Sequence, residues 1–255
     1  MVSKKFKKGE KVLILSQGKK WVVKLEGKQF VTQYGRLNLD EVIGKEEGYT
    51  TEVNGKVFYF FRPTISEFLT KIKRKTQIIY PKDLSVMMFL SGVKDDDVII
   101  EAGTGSGSLL ISLLNTVKKG KVISIERKKE VQEVALKNIK NYFGRIPKNL
   151  KLINSDVYEK ISLRIKNADK IFLDLTEPWR AVHIIDYLRP GGILVVYNPQ
   201  ITQIQKMVES IKDDFVDVQV FEILKRNWIV DGKRVRPEDL MRGHAGFVMI
   251  ARKIT

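Results

Sequence analysis

The chain has 255 residues, 43% of them hydrophobic and 30% charged, a balance that supports one or two folded domains and excludes a disordered chain. Lysine and arginine number 46 against 30 aspartates and glutamates, a formal charge of +16, and a surface this positive attracts polyanions: nucleic acid, an anionic membrane or an acidic protein. Cysteine is absent and there are two histidines, His183 and His244, which excludes disulfides, thiolate nucleophiles and cysteine-based metal sites and disfavours a histidine cage; no metal is expected.

The N-terminal stretch MVSKKFKKGEKVLIL is basic and lacks the apolar core of a signal peptide. Nowhere do about 18 apolar residues run together, so no membrane segment is expected and the cytoplasm is the default location. Val12–Leu15, Trp21–Leu25, Gln29–Thr32 and Val57–Phe61 are short runs rich in Val, Ile and aromatics, separated by turn signals at Gln17-Gly18, Glu26-Gly27 and Asn54-Gly55. They predict a small all-β module over residues 1–62. Lys19, Lys20, Lys24 and Lys28 lie among its strands, and residues 1–80 hold 17 Lys and Arg against 8 Asp and Glu, so positive charge is densest there.

Pro63 marks the exit from the module. Thr64 with Glu67 three residues later is a capping-box signature. It predicts a helix with Ile65, Phe68, Leu69 and Ile72 on one face and Lys71, Lys73, Arg74 and Lys75 on the other. Residues 64–93 read as helical with a break near Tyr80-Pro81, forming a lead-in over 63–93 to a second domain over 63–255.

From Asp97 onward, apolar strand runs alternate with helical segments: Val98–Glu101 then 106–117, Val122–Glu126 then 128–143, Leu150–Ile153 then 157–165, Lys170–Asp174 then 178–188, Ile193–Tyr197 then 200–213. Continuous apolar strands joined by helices mean a parallel sheet covered on both faces. Phe215–Leu224 and Gly246–Ala251 follow, with a long basic loop between them, and suggest an antiparallel pair at the sheet edge.

The first strand of this domain runs into VIIEAGTGSGSLL, with Glu101 at the strand end and Gly103, Gly105 and Gly107 alternating with Thr104, Ser106 and Ser108. Alternating glycines let the backbone pass close under a nucleoside or phosphate. A dinucleotide fingerprint would need Gly or Ala where Ser108 stands. The spacing instead resembles the seven-stranded S-adenosylmethionine-dependent methyltransferases, and the stretch from Glu101 to Ser108 is the expected cofactor cradle. Glu126, with Arg127 beside it, ends the next strand 23 residues after Gly103, where a carboxylate accepts from both ribose hydroxyls. Asp156, after Ser155, offers an acid to the adenine amino group of the cofactor.

Asp174 ends the fourth strand and opens Asp-Leu-Thr-Glu-Pro-Trp. With RPTISEFLTKIKR at 62–74, IIYPKD at 78–83, EAGTGSG at 101–107, VVYNPQITQ at 195–203 and RP followed by GHAGFVMIARK at 236–253, this string makes the chain resemble the tRNA (adenine-N1) methyltransferase family, which modifies T-loop nucleotide 58 and, in archaeal members, often also 57. Thr176 and the turn Asn198-Pro199-Gln200 depart mildly from the family pattern. The resemblance implies a seven-stranded Rossmann-like α/β domain behind a small β module, a homotetramer whose N-terminal modules help hold tRNA, and S-adenosylmethionine as methyl donor. It also implies that Asp174 contacts both the methionyl end of the cofactor and the target adenine.

An adenine buried in tRNA tertiary structure must be extruded to react at N1, and aromatic rings are the usual platform for a flipped base; Tyr80 and Tyr197 are the candidates here. Trp179 and both histidines read as structural. The basic loop with Lys225, Arg226, Lys233, Arg234, Arg236 and Arg242 fits phosphate contact or a subunit interface equally well. Two other classes compete: a catalytically silent tRNA-binding subunit, disfavoured by the intact EAGTGSG, Glu126 and Asp174, and a methyltransferase acting on protein isoaspartate or another RNA position, disfavoured by the Asp-Leu-Thr-Glu-Pro-Trp string. An Asn-Pro-Pro-Tyr-type amino-methylating enzyme is disfavoured because Asn198-Pro199 follows the fifth strand.

Overall fold

Gln17-Gly18 and Asn54-Gly55 both adopt positive φ at two successive residues, the twist that closes a two-residue hairpin. They organise the first of two compact units into which the chain divides at Ile72/Lys73. The computed structural model describes residues 5–27, 29–241 and 243–254; Lys28 and Arg242, both among the basic residues noted above, lie outside them.

In the first unit, strands β1 (Lys11–Ser16), β2 (Lys19–Lys24), β3 (Gln29–Thr32), β4 (Gly35–Asn38), β5 (Thr50–Val53) and β6 (Lys56–Phe61) form a four-stranded antiparallel sheet in the order β2-β1-β6-β5 and a separate β3-β4 hairpin. Phe58 and Phe60 point inward with Phe6, Val12, Ile14 and Leu25, while Val57 and Tyr59 face out, the two-residue alternation of a sheet with one covered face. β4 and β5 carry too few apolar residues to announce themselves. The turns that pair them with β3 and β6 define them.

Helix α1 (Ile65–Thr70) has the complete expected capping box: Thr64 Oγ1 accepts from Glu67 N, and the Glu67 carboxylate accepts from Thr64 N. It ends at Thr70, so Lys71, Lys73, Arg74 and Lys75 do not form its opposite face, and residues 71–80 are non-helical. Pro81 explains part of this, because a residue before proline avoids the helical region; Tyr80 has ψ 153°.

The second unit contains α2 (Pro81–Leu90), β7 (Val98–Ala102), α3 (Ser108–Thr116), β8 (Lys121–Glu126), α4 (Lys129–Phe143), β9 (Leu150–Asn154), β10 (Ala168–Leu173), a 3-10 segment (Pro178–Tyr187), β11 (Leu188–Asn198), α5 (Ile201–Ile211), β12 (Phe215–Glu222), β13 (Trp228–Asp231), β14 (Arg234–Pro237) and β15 (Phe247–Lys253). Its seven-stranded sheet has the order β12-β15-β11-β10-β7-β8-β9, with β7 to β11 parallel and β15 antiparallel to both neighbours. Strand order reverses between β7 and β10, and ligands in such sheets bind outside the strand carboxyl ends at that switch point. The antiparallel pair at the edge is as expected.

Three local expectations are corrected. No helix forms over 157–165: the backbone there is satisfied instead by the Tyr187 hydroxyl, which donates to Ile161 O and accepts from Leu163 N. Residues 178–187 form 3-10 turns kinked at Ala181. The basic loop contains the β13-β14 hairpin, whose turn is held by the Asp231 carboxylate accepting from Lys233 N and Arg234 N. Among the described residues no helix is long and apolar enough to cross a membrane.

Candidate active site

The end of β7 meets the end of β10 at Gly103. A Cβ at Gly103 would stand 2.1 Å from the Asp174 carbonyl oxygen, and its φ of +97° excludes most side chains as well. The glycine therefore first serves protein packing: it lets Asp174 close onto the turn, and Asp174 N donates to Ala102 O at 2.9 Å. Beside this junction opens a cleft of about 190 Å³ with Gly103, Glu126, Arg127, Ser155 and Asp174 on its walls and Ile125, Val131, Val157 and Leu175 as apolar lining.

Carboxylates dominate its electrostatics. Glu101 is fully buried; its Oε2 accepts from Ser124 Oγ at 2.5 Å, so Thr104 Oγ1 is the donor to Ser124 Oγ in the next link, while Glu101 Oε1 has no partner. Burial, with Asp174 and Glu126 as nearby like charges, pushes its pKa up to about 8. Desolvation and the Glu126 charge raise Asp174 to about 7. Glu126 is oriented by backbone, accepting from Gly105 N at 3.1 Å and Lys128 N at 3.0 Å. Arg127 faces Asp156 at 3.6 Å, and Asp156 accepts from Tyr158 N.

The fold thus brings Glu101, Gly103, Thr104, Gly105, Glu126, Arg127, Asp156 and Asp174 together. Gly107 caps α3, where an added Cβ would meet the Ala135 methyl at 3.2 Å; Ser108 is buried in the first turn, and the Ser106 hydroxyl bonds residues 75 and 76. Tyr80 and Tyr197 are not part of the cleft lining. Tyr80 is half-buried at the N-terminus of α2, with the Arg74 guanidinium 5.8 Å above its ring. Tyr197 is buried against Gly246, where any Cβ would strike the ring; burial and the charges of Asp83 and Asp174 raise its phenol pKa. His244 bonds Glu222 and Pro199 O, tying its loop to two strand ends. Arg234 and Arg236 form ion pairs with Asp231 and Asp239.

Three residues escaped the sequence reading. Thr76 lines the cleft from the non-helical lead-in. Tyr158 also lines it; its hydroxyl accepts from Glu177 N at 3.0 Å and its ring carries the Arg180 guanidinium at 4.6 Å. Asp83 is buried with Oδ1 bound to Lys82 Nζ at 2.7 Å and Oδ2 without a partner. Tyr-Pro-x-Asp, an acid in a helix's first turn, was the available signal for Asp83.

Two carboxylates held above their ordinary pKa, one of them with an orphaned oxygen, and an apolar wall together fit a ligand that is cationic at one end and aromatic at the other. S-adenosylmethionine has that chemistry. Fold and cleft therefore define a seven-stranded S-adenosylmethionine-dependent methyltransferase. Solved structures agree: a SAM-dependent O-methyltransferase from Thermotoga maritima is 30% identical with a TM-score of 0.91, covering 98% of this chain and 95% of that one. The tRNA (m1A58) methyltransferase TrmI from Aquifex aeolicus is 34% identical with a TM-score of 0.87, covering 98% and 99%.

The chain belongs to the family described as the tRNA methyltransferase complex GCD14 subunit, whose profile matches residues 56–253. The tRNA (adenine(57)-N(1)/adenine(58)-N(1))-methyltransferase TrmI of Methanocaldococcus jannaschii is 32% identical over 95% of this chain and 94% of its own length. The tRNA (adenine(58)-N(1))-methyltransferase TrmI of Thermus thermophilus is 32% identical over 78% of each.

Proposed function

We propose that this protein transfers the methyl group of S-adenosylmethionine to N1 of adenine in the T-loop of tRNA, at position 58, with the neighbouring 57 as the second candidate position. The observation that carries this reading is Asp174 held against the Gly103 turn at the switch point, its N donating to Ala102 O and its carbonyl standing where a Gly103 side chain would be, in a chain of this family.

Glu126 would hold the ribose, Asp156 and Arg127 the adenine end, and Glu101, Asp174 and the glycine turn the methionyl end of the cofactor. When bound, the cofactor supplies a methyl group already activated on a sulfonium. The protein's task is then alignment and charge. Adenine N1 is a weak nucleophile, and its methylation leaves positive charge on the ring. Asp174, accepting from the exocyclic amine, pushes electron density toward N1 and stabilises that charge in a poorly solvated site. Tyr80, partly exposed at the start of α2, would flank the extruded base, whereas Tyr197 is packed against Gly246; holding N1 in line with the methyl group contributes the rest.

The β module of residues 1–62 would bind tRNA and take part in assembly. A homotetramer, and the cytoplasm as its location, complete the reading; exposed Trp228, Val230, Val235 and Leu240 on and beside the β13-β14 hairpin support a subunit contact there. The test is incubation of the purified protein with unmodified tRNA and labelled cofactor, followed by nucleoside digestion and mapping. Label in 1-methyladenosine at 58, alone or together with 57, is the expected result; label on a sugar, on protein or nowhere overturns it.

A further inference from the structure

Residues 73–76 cross the glycine turn as a strap. Asn138, buried on α4, anchors it: its Nδ2 donates to Lys73 O at 2.8 Å and Ser106 O at 2.9 Å, and its Oδ1 accepts from Lys73 N at 3.3 Å. Ser106 Oγ accepts from Lys75 N at 3.1 Å and Thr76 N at 3.2 Å and bonds Thr76 Oγ1 at 3.1 Å. The inner edge of the strap is Thr76, in the cleft wall, with Oγ1 3.0 Å from where a Gly105 Cβ would stand. Gly105 N is the group that orients Glu126. The outer edge presents Lys73 and Lys75 to solvent, and Arg74 lies over Tyr80.

We infer that this strap couples the two ligands: Lys73 and Lys75 take tRNA phosphates while Thr76 shapes the cofactor cleft, so each ligand strengthens binding of the other. The inference rests on the tRNA reading above and adds the device that links substrate to cofactor. Its physical basis is that both ligands bind the same docked position of one short segment, and by linkage the enhancement is equal in both directions. Asn138 and Ser106 are positioning residues in this scheme.

The test measures tRNA affinity with and without S-adenosylhomocysteine, and S-adenosylhomocysteine affinity with and without saturating tRNA. The wild type should show the same enhancement both ways, about 5-fold or more. Asn138→Ala should bring that factor close to one, and Ser106→Ala, which opens no comparable cavity, should lower it; circular dichroism confirms folding, and Ser106→Ala decides if Asn138→Ala does not fold. Lys73→Gln with Lys75→Gln should leave S-adenosylhomocysteine affinity without RNA unchanged, weaken tRNA binding, and reduce the log–log salt slope by about 1.4 to 1.8, the share of two phosphates. No enhancement in the wild type, a full enhancement in folded Asn138→Ala or Ser106→Ala, or an unaltered salt slope in the lysine variant overturns the inference. If 1-methyladenosine still maps to the T-loop in such a case, the functional reading stands and only the coupling fails.

Discussion

Adjacent strands β7 and β10 bear ionisable groups at both ends, and the two ends are built on opposite principles. At the lower end Asp97 and Lys170, each 5% exposed, form a buried ion pair at 2.5 Å, and Asp97 also accepts from Lys94 N. At the upper end Glu101 and Asp174 place acid beside acid, and one Glu101 oxygen has no partner. The lower end is complete without a ligand. The upper end is complete only with one that brings positive charge, and perturbed acids in a cleft mark a working site for that reason.

Removing one charge from each end should therefore have unequal consequences for stability. Lys170→Met leaves Asp97 buried and unpaired, and chemical denaturation should show a loss of roughly 3–5 kcal/mol. A loss below 1 kcal/mol would show that the pair is not as dry as its exposure indicates. Asp174→Asn should leave stability and tRNA affinity close to wild type while single-turnover methylation slows by about 10²–10³-fold, the scale for removing one electrostatic contact to a developing charge; an unchanged rate would remove Asp174 from the mechanism. Glu126→Ala should weaken S-adenosylmethionine binding about 10- to 150-fold by calorimetry, equivalent to one charge-assisted hydrogen bond at about 1.5–3 kcal/mol.

The smallest effect concerns pH. Glu101 has a folded pKa of about 8 against the ordinary 4.5, so the folded protein holds this proton more tightly than the unfolded chain. Its contribution to stability is full below about pH 4.5 and is lost as pH rises through 8. Glu101→Gln should remove from the stability profile of the ligand-free protein a slope of up to about 1.4 kcal/mol per pH unit between pH 6 and 7. An identical slope in the variant would mean that Glu101 is already ionised there.

Much of this was legible in the chain itself. Apolar runs such as those within Val98–Glu101 and Lys170–Asp174 cannot face water on either side, so they announce a covered parallel sheet, and Thr64 with Glu67 specifies a cap through purely local bonds. The misreadings share one cause. The stretch 157–165 has helical spacing but its polar backbone is satisfied by Tyr187 from a distant segment, and the basic run 71–75 looks like a helix face yet is pulled flat by Ser106 and Asn138. Thr76 and Tyr158 lacked a recognisable string because their roles depend on neighbours remote in sequence, and Asp83, though inside the string IIYPKD, gave no sign that it would be buried.

Taken alone, then, the sequence determined the five parallel strands, the glycine turn and the acids that end the strands, because each is written in local periodicity and spacing. Tertiary structure alone decided which of those acids are neutralised. Asp97 meets Lys170 across a strand pair, whereas Glu101 feels the like charges of Asp174 and Glu126, and the energy of a buried charge depends on what stands a few ångströms away in space.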